Sequence, residues 1–99
     1  MTHSYVGTMR TLPERRAEVV AILLRDVSAL AAVGCRSYVV SVVDDDDDLI
    51  AVSEVWESAA DHAASLELPS VRAAIAEAMP MLTGEFTGVA GRVVGGLRA

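Results

Sequence analysis

Five consecutive aspartates, Asp44 to Asp48, separate two runs rich in β-branched residues. Adjacent carboxylates repel one another and resist burial together, so this segment reads as a solvated turn. Before it lies RSYVVSVV, Arg36 to Val43, and after it LIAVSEVWE, Leu49 to Glu57. Both runs have strand composition, and a short polar connection makes them antiparallel partners. The first run is apolar on both faces: Tyr38, Val40 and Val42 on one, Val39 and Val43 on the other. A strand covered on both sides needs a layer above and a layer below its sheet. In a chain of 99 residues, one layer is the chain's own helices and the other a second copy of the sheet. The aspartate run is not expected to bind calcium, because a calcium loop needs spaced ligands, a glycine and a distal glutamate.

The rest of the order follows from stop and start signals. Ser58 follows the second strand, with Asp61 three residues on. A serine hydroxyl accepts from the first free amides of a helix, and an acid suits that positive end, so a helix begins at Ser58. Leu68-Pro69 interrupts it, and Pro is well tolerated at a first helical position, so Val71 to Met79 reads as a new helix. Upstream, Tyr5 to Met9 is a short strand with Tyr5, Gly7 and Met9 on one face. TLPE, Thr11 to Glu14, has the pattern of a capping box and predicts a helix running to about Ala32, ended by Gly34 in a left-handed conformation. Thr83 to Val94 is the last strand, irregular at Gly84, Gly88 and Gly91, and Gly95-Gly96 begins a loose tail. Strand, helix, strand, strand, broken helix, strand is the order of an α+β ferredoxin-like sandwich, βαββ(αα)β, with a four-stranded antiparallel sheet. One domain over residues 1–99 is expected.

Composition narrows the function. Apolar residues make up 53% of the chain, a surplus that points to a buried interface or an apolar cavity. A net charge of −6 argues against nucleic acid and anionic membrane surfaces as partners. No apolar run is long enough to cross a membrane, and no basic segment followed by an apolar run marks a secretion signal. Cys35 is the only cysteine, which suits a reducing cytoplasm and the role of a small buried hydrophobe.

Glu54-Val55-Trp56-Glu57-Ser58, followed at fixed spacing by Pro69-Ser70-Val71-Arg72-Ala73, resembles the antibiotic biosynthesis monooxygenase family. Val6-Gly7-Thr8 and the Pro13 helix start are also similar. The resemblance implies a homodimeric α+β barrel, in which two sheets pack face to face, with a cavity between each sheet and its helices. It implies oxidation of quinol-type or anthrone-type aromatics by O₂ with neither metal nor organic cofactor. Some members degrade heme and use a His as the iron ligand. Ser65 stands where many members carry that His, and His62 is displaced from it by most of a turn. Serine cannot take that role, so heme degradation is not expected.

Four residues are candidates for the site. Trp56 offers a flat wall for an aromatic substrate, or else ordinary core packing. His62 suits a general base that removes a phenolic proton, or else is a helix-surface His beside Asp61. Tyr38 is a candidate to orient a substrate oxygen, or else packs with its hydroxyl at the rim, and Ser65 is a candidate to line the same pocket. Arg72 is expected to pair with Glu54 or Glu57 as a structural contact. His3 is set aside for its position near the amino terminus, and Met79 and Met81 for flexible packing. Two functions are consistent with these residues: a cofactor-independent monooxygenase of hydroxylated aromatics, and a non-catalytic dimer that binds a small ligand or merely assembles. The space beneath the helix at Ser58 to Glu67 separates them. A roomy cavity holding His62, Ser65 and Tyr38 favours the enzyme.

Overall fold

A computed structural model describes residues 1–97 and 99. The chain forms β1 (His3–Thr11), α1 (Arg16–Leu24), α2 (Val27–Ala31), β2 (Cys35–Val42) and β3 (Leu49–Trp56). It continues as α3 (Ala59–Ser65), α4 (Pro69–Ala78), a 3-10 turn (Met79–Met81) and β4 (Leu82–Arg92). The four strands lie in the order β2-β3-β1-β4, each antiparallel to its neighbour, as in a ferredoxin-like sheet. No helix among the described residues is long and apolar enough to cross a membrane.

The core lies between the sheet and its helices. Ile50 and Val52 alternate along β3 toward Val19 and Ile22 of α1 and Ala78 of α4. Met9, Tyr38, Val40 and Leu82 complete it from the other strands. None of the described elements covers the opposite face of the sheet, and Val6, Val39 and Val89 stand exposed there. Serines and threonines share that face, among them Thr8 and Thr87, whose hydroxyls meet at 2.6 Å.

The aspartate turn forms, but not all of it is given up to solvent. Arg16 Nη1 donates to the Asp46 carbonyl at 2.6 Å and the Val43 carbonyl at 3.2 Å, which satisfies backbone acceptors that a tight turn leaves open. Asp46 is half-buried, accepts from the Asp48 amide and pairs with Arg10 at 2.9 Å. Those two contacts, the amide first, hold its carboxyl below the usual range.

Two helix expectations are corrected. Thr11 does not cap a helix. Its amide donates to Asp48 at 2.8 Å, and the Leu12 amide to Met81 at 2.8 Å, so the chain is still held as strand where the capping box was expected. Thr11 is buried as the last residue of β1, and its hydroxyl donates to the Leu12 carbonyl. Glu14 takes a positive φ of 66°, and the helix starts only at Arg16. That helix is also broken. The Arg25 amide tightens to a bond with Ile22, and Asp26 leaves the helical region at φ −125°, ψ 38°. The chain then continues as α2, which ends before Gly34 at φ 104°.

The second half matches its signals. Ser58 caps α3, its hydroxyl accepting from the Asp61 amide at 3.0 Å, and Pro69 opens α4. Replacing a serine cap with alanine costs about 1 kcal/mol. Ser58→Ala is therefore expected to lower the unfolding free energy by that amount, read as a lower urea midpoint with the slope of the transition unchanged. An unchanged midpoint would remove the cap from the account.

Candidate active site

The strand register sorts the helix-facing side of the sheet into rows. Tyr38, Glu54 and Tyr5 are cross-strand neighbours in one row. The next row is Val40, Val52, Gly7 and Gly88, and the one after it Val42, Ile50, Met9 and Phe86. One end of this face is thus polar and the other apolar. The helices do not fill the space above it. A cavity of about 380 Å³ remains, lined at the polar end by Tyr5, Tyr38, Glu54, Trp56, His62 and Ser65. Leu23 of α1, Val71, Ala74 and Ile75 of α4 and Phe86 of β4 supply apolar walls. The roomy space beneath α3 is present, and the four candidate residues line it together.

Glu54 is the polar group that organises this end. Its side chain is only 12% exposed. A carboxylate in apolar surroundings is costly unless hydrogen-bonded or paired. The i, i+2 spacing along β3 puts the Trp56 indole on the same face, where Nε1–H donates to Glu54 Oε1 at 3.0 Å. The second neighbour is His62, whose Nε2 lies 3.6 Å from the same oxygen. The first turns of α3, fixed by the Ser58 cap, carry His62 to this position.

His62 is not a surface residue beside Asp61. It is 15% exposed and held on three sides by rings. It stacks on Trp56 with centroids 5.2 Å apart and planes at 22°. Tyr5 lies 5.2 Å away, and His3 5.3 Å away. His62 Nδ1 is 3.3 Å from His3 Nε2, a hydrogen-bonding distance for one ring N–H between two nitrogens.

The other candidates divide. Trp56 is 1% exposed and is both core and cavity wall. Tyr38 has its hydroxyl pushed up to about 12 by burial first, with the charges of Glu54 and Cys35 adding to it. It is therefore a neutral donor at ordinary pH. Ser65 is buried, but its hydroxyl donates to the His62 carbonyl at 2.6 Å, so it braces the turn that carries His62. Cys35 is part-buried, which raises its thiol, and its Sγ faces the Ser37 carbonyl at 3.4 Å. Arg72 does not reach Glu54 or Glu57. It pairs at 3.6 Å with Glu67 on the exposed surface, and Arg36 takes Glu57 instead.

Glu54, Tyr5 and His3 were not among the candidates. An acid between Val52 and Trp56 on the buried face of a strand was a readable signal for Glu54. Tyr5 depends on a cross-strand contact. Gly7 and Gly88 face each other, and a Cβ on Gly88 would lie 2.7 Å from Tyr5 Cζ, so the bare glycine is what lets the ring lie against the sheet. No group of three or more His, Cys, Asp or Glu among the described residues is arranged to hold a metal ion.

The antibiotic biosynthesis monooxygenase family model matches residues 2–77. Among solved structures, a protein from Chloroflexus aurantiacus, provisionally described as an antibiotic biosynthesis monooxygenase, is 37% identical. The match covers 97% of this chain and 98% of that one, with a TM-score of 0.82. A protein from Nitrosomonas europaea with the same provisional description has a TM-score of 0.86 at 11% identity, covering 94% of this chain and 90% of its own. SnoaB, a cofactor-independent oxygenase from Streptomyces nogalater, superposes with a TM-score of 0.80 at 14% identity, covering 97% and 96%. The last two likenesses are of fold alone. No curated protein matches the sequence. With the family model matched over most of its length and a relative at 37% identity across nearly all of it, the chain belongs to the antibiotic biosynthesis monooxygenase family.

Proposed function

We propose that the protein is a cofactor-independent monooxygenase that oxidises a small or polycyclic hydroxylated aromatic with O₂. The observation that carries this reading is a buried acid–base pair, Glu54 and His62, at the polar end of an otherwise apolar cavity. The volume is within the range of small-molecule sites. A flat substrate lies in the cavity with its hydroxyl toward Glu54 and His62, and Trp56, 1% exposed and covered by the His62 ring, backs that end of the site. Tyr38, held neutral, donates to the substrate oxygen and steadies the charge that develops there. Removing the proton makes the ring electron-rich enough to reduce O₂ directly. At a ring CH₂ that becomes a carbonyl, carbon loses four electrons and O₂ gains four. One oxygen stays on carbon and the other leaves as water, so no external reductant is needed. The fold likeness to SnoaB supports the absence of a cofactor. Ser65 offers no iron ligand at the position where the family resemblance implies a His, which speaks against heme degradation. The alternative, a non-catalytic dimer that binds a small ligand or merely assembles, called for a narrow or filled space under the helices beside Trp56, and the cavity counts against it.

The same reading includes a homodimer. A second copy would cover the open face of the sheet, where Val6, Val39 and Val89 are 50%, 51% and 70% exposed. A reducing cytoplasm remains the setting that suits the single thiol of Cys35.

Three measurements test these assignments. In an oxygen electrode with a panel of hydroquinones and anthrones, the wild-type protein turns over at least one. Glu54→Gln and His62→Ala each lower kcat about a hundredfold. Background rates with the whole panel would end the reading. In an ultraviolet titration, the difference between wild type and Tyr38→Phe shows a midpoint near 12. An unfolded tyrosine sheds its proton near 10, so this residue's contribution to stability is full below that pH and falls as pH rises toward 12. A midpoint at the ordinary value would free Tyr38 from burial. In sedimentation, Val39→Asp and Val89→Asp are expected to convert the dimer to a monomer. A monomeric wild type would remove the barrel.

A further inference from the structure

We infer that His62 and His3 form a proton outlet from the cavity to the outer surface, with His3 as the exit. The inference rests on the cavity being a site where a phenol is deprotonated. His62 lines the inner cavity and His3 does not. His3 lines a separate cleft of about 320 Å³, bounded by Thr2, Ser58, Gly91 and Arg92, and His62 does not line that. The two rings meet in the wall between these spaces, Nδ1 of His62 being 3.3 Å from Nε2 of His3. On the inner side, His62 Nε2 faces Glu54 Oε1 at 3.6 Å. The two nitrogens of one ring thus face two different compartments.

The polar end of the cavity needs such a route. Glu54 and His62 are nearly buried, and a bound aromatic displaces the water that otherwise carries protons away. Neutral imidazole has one N–H and one bare nitrogen, so it can take a proton on one side and give another up on the opposite side. The phenol O–H bond breaks, and its proton passes by way of Glu54 to His62 Nε2. The His62 Nδ1–H bond breaks as that proton moves to His3 Nε2. His3 then gives its Nδ1 proton to water in the cleft. In sum, one phenol and one water become one phenolate and one hydronium, and no electron moves. His62 is left as its other tautomer. The proton required when O₂ is reduced returns along the same line and restores the first tautomer. The groups around His62 are Glu54 and Trp56 of β3 and Tyr5 and His3 of β1. His3 sits in register between Trp56 on β3 and Arg92 on β4.

Ring packing alone would account for the contact, and His3→Phe separates the two roles because it keeps a ring but carries no proton. The probe is 4-nitrophenol, whose colour reports its own ionisation, mixed with protein in the presence of a pH-indicator dye in the bulk. In the wild-type protein, the phenolate colour and the bulk proton are expected to appear together. In His3→Phe the affinity is unchanged and the bulk proton appears about tenfold more slowly. His3→Gln, which keeps a hydrogen-bonding group but cannot relay, behaves like His3→Phe. Unchanged proton release in both variants overturns the outlet, as does a loss of affinity that accounts for the slower release. Absence of the phenolate colour in the wild type overturns it too. None of these outcomes requires turnover of a quinol, so they stand apart from the oxygen-uptake test of the enzyme itself.

Discussion

A buried carboxylate sets the terms for this molecule. Glu54 lies in the middle of β3, facing the helices, where every neighbour along the strand on that face is Val52, Ile50 or Trp56. Such a group is tolerable only with partners. Its two partners dictate much of what surrounds it. The Trp56 N–H fixes the indole as one wall, and His62 requires α3 to begin where Ser58 caps it. An apolar residue at position 54 would pack more cheaply, and its presence as an acid is the strongest sign that the space above it serves chemistry.

The sheet supplies a gradient rather than a uniform floor. The row holding Tyr38, Glu54 and Tyr5 is polar, and two rows away Val42, Ile50, Met9 and Phe86 are apolar. A ligand with a hydroxylated edge and a greasy body matches that order. The glycine pair Gly7 and Gly88 keeps the floor low enough for Tyr5 to lie against it. On the far side of the sheet, valines mixed with serines and threonines form the face that the proposed second copy would cover.

Local signals carried much of the fold. The aspartate hairpin, the Ser58 cap, Pro69 and the Gly34 stop depend on a few adjacent residues, and each stands where the sequence put it. The Glu54-to-Ser58 and Pro69-to-Ala73 segments pointed to the family for the same reason. What could not be read was set by partners distant in sequence. Thr11 looks like a cap until its amide is seen to bond Asp48 and its neighbour's to bond Met81. Nothing in the residues around Arg25 and Asp26 announces the break between α1 and α2. His62 and His3 are 59 positions apart, and only the pairing of β1 with β3 brings His3 beneath α3. Arg72 carried a family-pattern charge, yet long exposed side chains take the nearest partner, here Glu67.

Trp56 is the sole tryptophan and a wall of the cavity, so its emission reports directly on whether a flat molecule enters. Titration with 1,4-naphthoquinone, a planar quencher, is the decisive measurement. Saturable quenching in the wild type, abolished when Ala74→Phe fills the apolar end, is the expected result. Weak linear quenching of equal slope in both proteins would mean that nothing occupies the space above Glu54, and the chemistry assigned to it would have no site.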